Sequence, residues 1–322
     1  MKILGLTVFA IITIFGTSFF TDKITYSNWR IENNSQDKST ISWTKFEWTN
    51  GELDGKKFEK LTMNIPCKVD GIKNPVTFQF DLGSNLTRVY ENTFSSLYEI
   101  NPELEHHIKR ISRLQFWSKS KYFEDLSISF GNYTATNKTA FVYKNYGERL
   151  KVKNQNDTIH LGTIGADIFK DKVLIIDYPN NQFAICENIP KDYQHNLIDI
   201  EINKYGFAIL PMKIHDKNYR ITFDNGSSIF PIITKAKNIS NYSTSADIDT
   251  IQISSWGQIH GVTGKLIKDT FELAGQKFSN VKVYANHSGL GIDNETDGMT
   301  GNALFWDKTI IIDFKNKKFG VK

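Results

Sequence analysis

Gly162–Ile185 reads GTIGADIFKDKVLIIDYPNNQFAI, and Gly298–Val321 reads GMTGNALFWDKTIIIDFKNKKFGV. The two stretches align without a gap at a constant offset of 136. Ten of the 24 positions are identical: Gly162, Gly165, Phe169, Asp171, Lys172, Ile175, Ile176, Asp177, Asn180 and Phe183 match their partners. A second matched pair lies upstream. Pro66–Ser84 is PCKVDGIKNPVTFQFDLGS and Pro211–Ser227 is PMKIHDKNYRITFDNGS. Each reads as a strand, a polar turn, a second strand and then Asp-x-Gly-Ser, with Asp81 and Asp224 143 residues apart. Self-similarity of this kind marks one structural unit used twice.

Outward from the repeats the chain is rich in strand signals. β-Branched and aromatic runs such as Leu61–Val69, Val76–Phe80, Val173–Tyr178, Phe207–Ile214, Tyr219–Phe223 and Ile310–Phe314 alternate with turn pairs such as Asp54-Gly55 and Gly131-Asn132. One helical stretch is expected, Glu91–Arg113, with Asn101-Pro102 starting a second helix after a turn. Helix and strand do not alternate regularly, so a doubly wound parallel sheet fits poorly and an all-β fold is expected. The polar segment Glu187–Asn196, which carries Pro190, divides the chain into units over residues 24–190 and 196–322.

Composition narrows the partners. The 322 residues suit two domains, and 40% hydrophobic content supplies a core. With 39 Lys+Arg against 35 Asp+Glu and no long run of like charge, there is no electrostatic footprint for nucleic acid. The N-terminus has Lys2, then the uncharged run Ile3–Phe20, with Gly16 and Ser18 as small residues before a cleavage site. Residues 1–22 therefore read as a secretory signal, or as a retained N-terminal anchor and the one membrane contact. Either places the folded part outside the cytoplasm, secreted or in the periplasm or cell envelope. A Cys67–Cys186 bond is permissible there, although two free thiols are the expectation. No Gly-x-Ser-x-Gly elbow or P-loop occurs. The seven His are dispersed, so no metal site is expected.

A single Asp-x-Gly-Ser after a strand is ordinary turn chemistry. Two copies at equivalent places of a repeat, each followed downstream by an apolar strand ending in Gly (Thr163-Ile164-Gly165 and Met299-Thr300-Gly301), carry more. On these residues the chain resembles the pepsin-like and retropepsin-like aspartic peptidases, in particular bacterial two-lobed members, over about Leu61–Lys322. The resemblance implies a bilobal fold, two similar β-barrel-like lobes with a cleft between them. It implies Asp81 and Asp224 as a catalytic pair that activates water to hydrolyse peptide bonds. The N–H groups of Gly83 and Gly226 would bond the carboxylates, and the hydroxyls of Ser84 and Ser227 would bond their outer oxygens. Ile164-Gly165 and Thr300-Gly301 would flank the two loops. Flap hairpins would come from Phe116–Tyr122, with Trp117 and Tyr122, and from Ser254–Gly264, with Trp256. The implied partner is a peptide or protein substrate, with no cofactor, and a monomer is expected.

The chain departs from the family at the middle residue of each loop. Leu82 cannot make the hydroxyl bond that the family's Thr or Ser makes to the opposite loop, while Asn225 can offer an amide instead. An inactive peptide-binding relative is therefore an alternative, because one crossing bond is lost while both acids remain. Actin-like ATPases, which also use paired Asp-x-Gly-Ser/Thr loops, are a remote alternative. They begin almost at the first loop and alternate helices with strands, unlike this chain.

Overall fold

A computed structural model describes residues 29–37, 40–111, 120–150, 157–255, 258–288 and 295–322. Among the described residues strands account for 51% and helices for 12%, so the protein is mostly β with several sheets. The signal or anchor expected over residues 1–22 lies outside the described residues. Among the described residues no helix is long and apolar enough to cross a membrane.

The repeat seen in the sequence is a repeat of topology. In a nine-stranded sheet, five neighbouring strands run Tyr133–Tyr143, Arg88–Tyr90, Ile159–Ile164, Val76–Phe80, Lys56–Val69. In a ten-stranded sheet the matching five are Val281–Asn286, Ile232–Lys235, Gly298–Thr300, Lys217–Phe223, Ala208–Ile214. Read along either series, the pairings are parallel, antiparallel, parallel, antiparallel. Each series is extended by a hairpin, Ile108–Ile111 with Ser120–Phe130 in the first and Asp249–Ser255 with Gln258–Ile267 in the second. A mixed order of this kind is hard to reach by chance twice, and it puts Asp81 and Asp224 at equivalent strand ends.

The halves are joined by a six-stranded sheet that takes one hairpin from each repeat block. At its centre Val173–Asp177 runs antiparallel to Thr309–Asp313, and Ile175 lies opposite Ile311, its own repeat mate. All five residues of Val173–Asp177 are buried. That fits a near-continuous apolar run covered on both faces. The turns after these strands are capped alike: Asp177 accepts from the backbone and side chain of Asn180, and Asp313 does the same for Asn316.

The helix expectation needs correction. The α-helix covers Glu91–Ile100, and Pro102–His107 is a 3-10 helix rather than a second α-helix. Ile108–Ile111, expected as helix, is a strand paired with Ser120–Phe130. Pro102 bars its predecessor from helical ψ, and Asn101 accordingly sits at φ −134, ψ 84. Beyond that break, pairing with a neighbouring strand satisfies the backbone of a β-branched segment better than a short helix would. Cys67 and Cys186 are both free thiols, and burial pushes each thiol's pKa up.

Candidate functional site

The strands Val76–Phe80 and Lys217–Phe223 deliver Asp81 and Asp224 into tight loops in the same way. Asp81 N–H donates to the Ile164 carbonyl at 3.0 Å, and Asp224 N–H to the Thr300 carbonyl at 2.9 Å. Within each loop the Ser N–H closes a turn on the Asp carbonyl, at 3.1 Å for both Ser84 and Ser227. Gly83 N–H donates to Asp81 Oδ1 at 2.9 Å, and Gly226 N–H to Asp224 Oδ1 at 2.8 Å, the bonds that the family resemblance implies.

The flanking glycines explain how the strands come so close. A Cβ on Gly301 would lie 1.9 Å from the Ser227 carbonyl oxygen, and one on Gly165 would lie 2.7 Å from that of Ser84. These are backbone obstacles, so only Gly fits at either place. The loops also meet each other. A Cβ on Gly83 would stand 2.3 Å from Asp224 Cγ, and one on Gly226 would stand 2.4 Å from Asp81 Oδ1. Each carboxyl is thus packed on the glycine of the opposite loop.

The two carboxyls touch one another, and both are fully buried, at 0% exposure. Burial is the largest cause raising Asp81 well above the usual carboxylate range, followed by the charge of Asp224 and the hydrogen bond to it. Arg88, two strands over, pulls weakly in the other direction. Asp224 is also raised by burial, and the N–H groups around it oppose that rise. Two acids so placed cannot both ionise, and the pair holds one proton over a range of pH. Asp224 Oδ2 is a buried oxygen with no hydrogen-bond partner among the described residues.

Two expectations about the loops turn out differently. The Ser84 hydroxyl donates to the Leu86 carbonyl at 2.8 Å, and Ser227 Oγ has no partner among the described residues. Neither hydroxyl bonds a carboxylate: Ser84 turns back onto its own loop, and Ser227 Oγ stays buried, with neither it nor Asp224 Oδ2 bonded among the described residues. The crossing bond survives on one side only. Asn225 Oδ1 accepts the backbone N–H of Leu82, and the Leu82 side chain lies in the core.

Of the flap residues, Trp117 and Trp256 lie outside the described residues. Tyr122 is half-buried within the strand Ser120–Phe130, opposite Lys109 and Phe141. Sequence reasoning missed two residues that support the loops. Asn302 Nδ2 donates to the Asn225 carbonyl at 2.8 Å and to Ser228 Oγ at 3.1 Å, while its Oδ1 accepts the Tyr178 hydroxyl at 2.6 Å. The signal that could have found them is mismatch inside the repeat: Asn302 aligns with Ala166, and Tyr178 with Phe314.

Among the described residues no group of three or more His, Cys, Asp or Glu side chains is placed to hold a metal ion. A scan against protein-family models finds no match, and a search of curated proteins finds none either.

Proposed function

We propose that the protein is an aspartic-type peptidase, bilobal, with Asp81 and Asp224 as its catalytic residues. The observation that carries this reading is the mutual packing of two equivalent Asp-x-Gly-Ser loops, which presses two buried carboxyls together. In this reading the ionised carboxylate takes a proton from a water molecule, and the oxygen of that water forms a bond to the peptide carbonyl carbon. The protonated carboxyl donates to the carbonyl oxygen as its π bond breaks. The tetrahedral species then collapses, the C–N bond breaks, and the amine leaves with a proton returned from the pair.

The substrate is an extended peptide, held between the halves through backbone hydrogen bonds, with side-chain pockets setting preference. The N-terminal run of residues 3–20 supports a site of action outside the cytoplasm, in the periplasm, the cell envelope or the medium.

The deciding experiment is cleavage of a denatured protein mixture across roughly pH 3 to 8, a span that brackets a pair sharing one proton. The native protein should show a bell-shaped profile, and Asp81→Asn and Asp224→Asn should show no cleavage. Cleavage that persists in both variants would remove the pair from the mechanism. Leu82, which makes no side-chain crossing bond, favours a second reading, an inactive relative that binds peptide. Peptide binding without cleavage at any pH would select it.

A further inference from the structure

The repeat breaks its own symmetry at three places around the carboxyls, and the three breaks are bonded to one another. At each place one copy carries a polar side chain and the other an apolar one: Asn225 for Leu82, Asn302 for Ala166, and Tyr178 for Phe314. The three polar members form one buried chain, from the Tyr178 hydroxyl to Asn302 Oδ1, from Asn302 Nδ2 to the Asn225 carbonyl, and from Leu82 N–H to Asn225 Oδ1. Asn225 and Asn302 are each 0% exposed. We propose that Asn302 and Tyr178 are positioning residues that fix the division of labour in the pair, with Asp224 held as the ionised base and Asp81 as the proton donor.

The argument lies in a single peptide group. The carbonyl of Asn225 and the N–H of Gly226 belong to the same amide unit. Its oxygen accepts from Asn302, and its N–H donates to Asp224 Oδ1. An amide that accepts at oxygen is polarised and becomes a stronger donor at nitrogen. A stronger N–H bond to a carboxylate favours its ionised form. The equivalent amide, Leu82–Gly83, also donates to its carboxylate, but Ala166 stands where Asn302 would and has no side-chain donor.

Tyr178 sets the direction of the relay. Its hydroxyl donates to Asn302 Oδ1, which leaves Nδ2 facing the Asn225 carbonyl; a flipped amide would set two oxygens against each other. The Tyr178 ring is held by stacking on Trp48 at 6.3 Å and by the edge of Phe46 at 6.4 Å.

The charged and titratable surroundings are unequal too. Facing Asp224 are the Asp81 carboxyl and the N–H groups of Gly226, Ser227 and Gly83. Facing Asp81 are Asp224, Gly83 N–H and the Arg88 cation, with Tyr90 and Tyr146 close enough to feel its charge. Arg88 favours ionisation of Asp81 and so opposes the division proposed here, but burial and the charge of Asp224 outweigh it.

The inference rests on the peptidase reading for its rate measurements and stands apart from it in its titration. Tyr178→Phe installs the residue found at the matching place of the other copy, so the fold has a precedent for it; Asn302→Ala does the same with the residue of Ala166. Each should lower kcat by about 2- to 10-fold, the worth of one buried hydrogen bond, with KM unchanged. The acid limb of the pH profile should move upward, because the ionised base has lost support. The double variant should be no worse than Asn302→Ala alone, since both act through one bond chain. A merely structural role would lower thermal stability and leave the acid limb in place.

Carboxyl carbon NMR titration of the full chain, with Asp81 and Asp224 resolved, reads the division directly and needs no activity. In the native protein Asp224 should ionise first, and the gap between the two should narrow in Tyr178→Phe and Asn302→Ala. An unchanged gap in the folded variants, or Asp81 ionising first in the native protein, overturns the proposal. If no peptide is cleaved but the gap behaves as stated, the peptidase reading fails and the positioning role survives.

Discussion

Replacing Gly83 by Ala tests the packing of one loop on the other's carboxyl. The added Cβ would lie 2.3 Å from Asp224 Cγ and 2.4 and 2.5 Å from its oxygens, where ordinary contact begins at 3.4 Å. Relief therefore requires the carboxyl to withdraw by about 1 Å from the position it shares with Asp81. A displacement of about 1 Å in a reacting group costs on the order of 100-fold in rate, which is about 2.7 kcal/mol of activation free energy. The obstacle is the end of a side chain rather than backbone, so the carboxyl gives way before the fold does. The assay is kcat/KM on a cleaved peptide at the pH optimum, with a urea midpoint measured in parallel. Gly226→Ala, whose Cβ would press on Asp81 Oδ1 at 2.4 Å, should behave in the same way. Retention of activity within about threefold in either folded variant, against the two decades that such a displacement costs, would refute the reasoning.

Gly301→Ala meets the Ser227 carbonyl at 1.9 Å, a backbone obstacle, and should lower stability by at least the roughly 1–3 kcal/mol of an overpacked core, read as a fall in the urea midpoint. Because Asp81 and Asp224 have raised folded-state values, their contribution to stability is complete below the ordinary carboxylate range and is lost as pH rises through those raised values. Melting temperature should therefore fall from about pH 4 toward pH 8, and Asp81→Asn should melt higher than the native chain at pH 8; a native curve that climbs over that range contradicts the buried pair. Asp167 is pushed up to about 6 by burial, although Thr87 and the Trp29 indole bond its carboxylate. Trp29→Phe removes one of those bonds, so Asp167 should titrate still higher and the chain should lose about 1 kcal/mol in a denaturant titration.

The sequence made legible whatever is repeated. Gly165 and Gly301, Asp177 and Asp313, and the two Asp-x-Gly-Ser loops sit in the fold where the duplicated blocks led us to look. It was less informative where one segment changes partner. Ile108–Ile111 has the composition of either helix or strand, and pairing with the next strand, Ser120–Phe130, decides the outcome. The short strands Arg88–Tyr90 and Ile232–Lys235 have too few residues for periodicity to register. The support of the site was hidden for a different reason. Tyr178 and Asn302 are 124 residues apart and are a mismatch in the alignment rather than a match. The Ser84 and Ser227 hydroxyls depart from the expectation because whether a hydroxyl turns back onto its loop, as in Ser84, or stays unbonded, as in Ser227, depends on distances no sequence states.

The central pairing of the six-stranded sheet has a consequence for chains cut in two. A polypeptide stopped at Cys186 would keep Gln182–Cys186 beside Val173–Asp177 but lose Thr309–Asp313 from its other side, baring the edge of a strand whose five residues are all buried. Bare edges of that kind seek another strand. The fitting one is already defined, because Ile175 faces Ile311, the residue at its own place in the other copy. A half-length chain therefore carries a self-complementary edge that a second half-length chain can close. The segment Glu187–Asn196 then acts as a tether that raises the effective concentration of one half near the other, and the geometry of their meeting is written in the strands themselves.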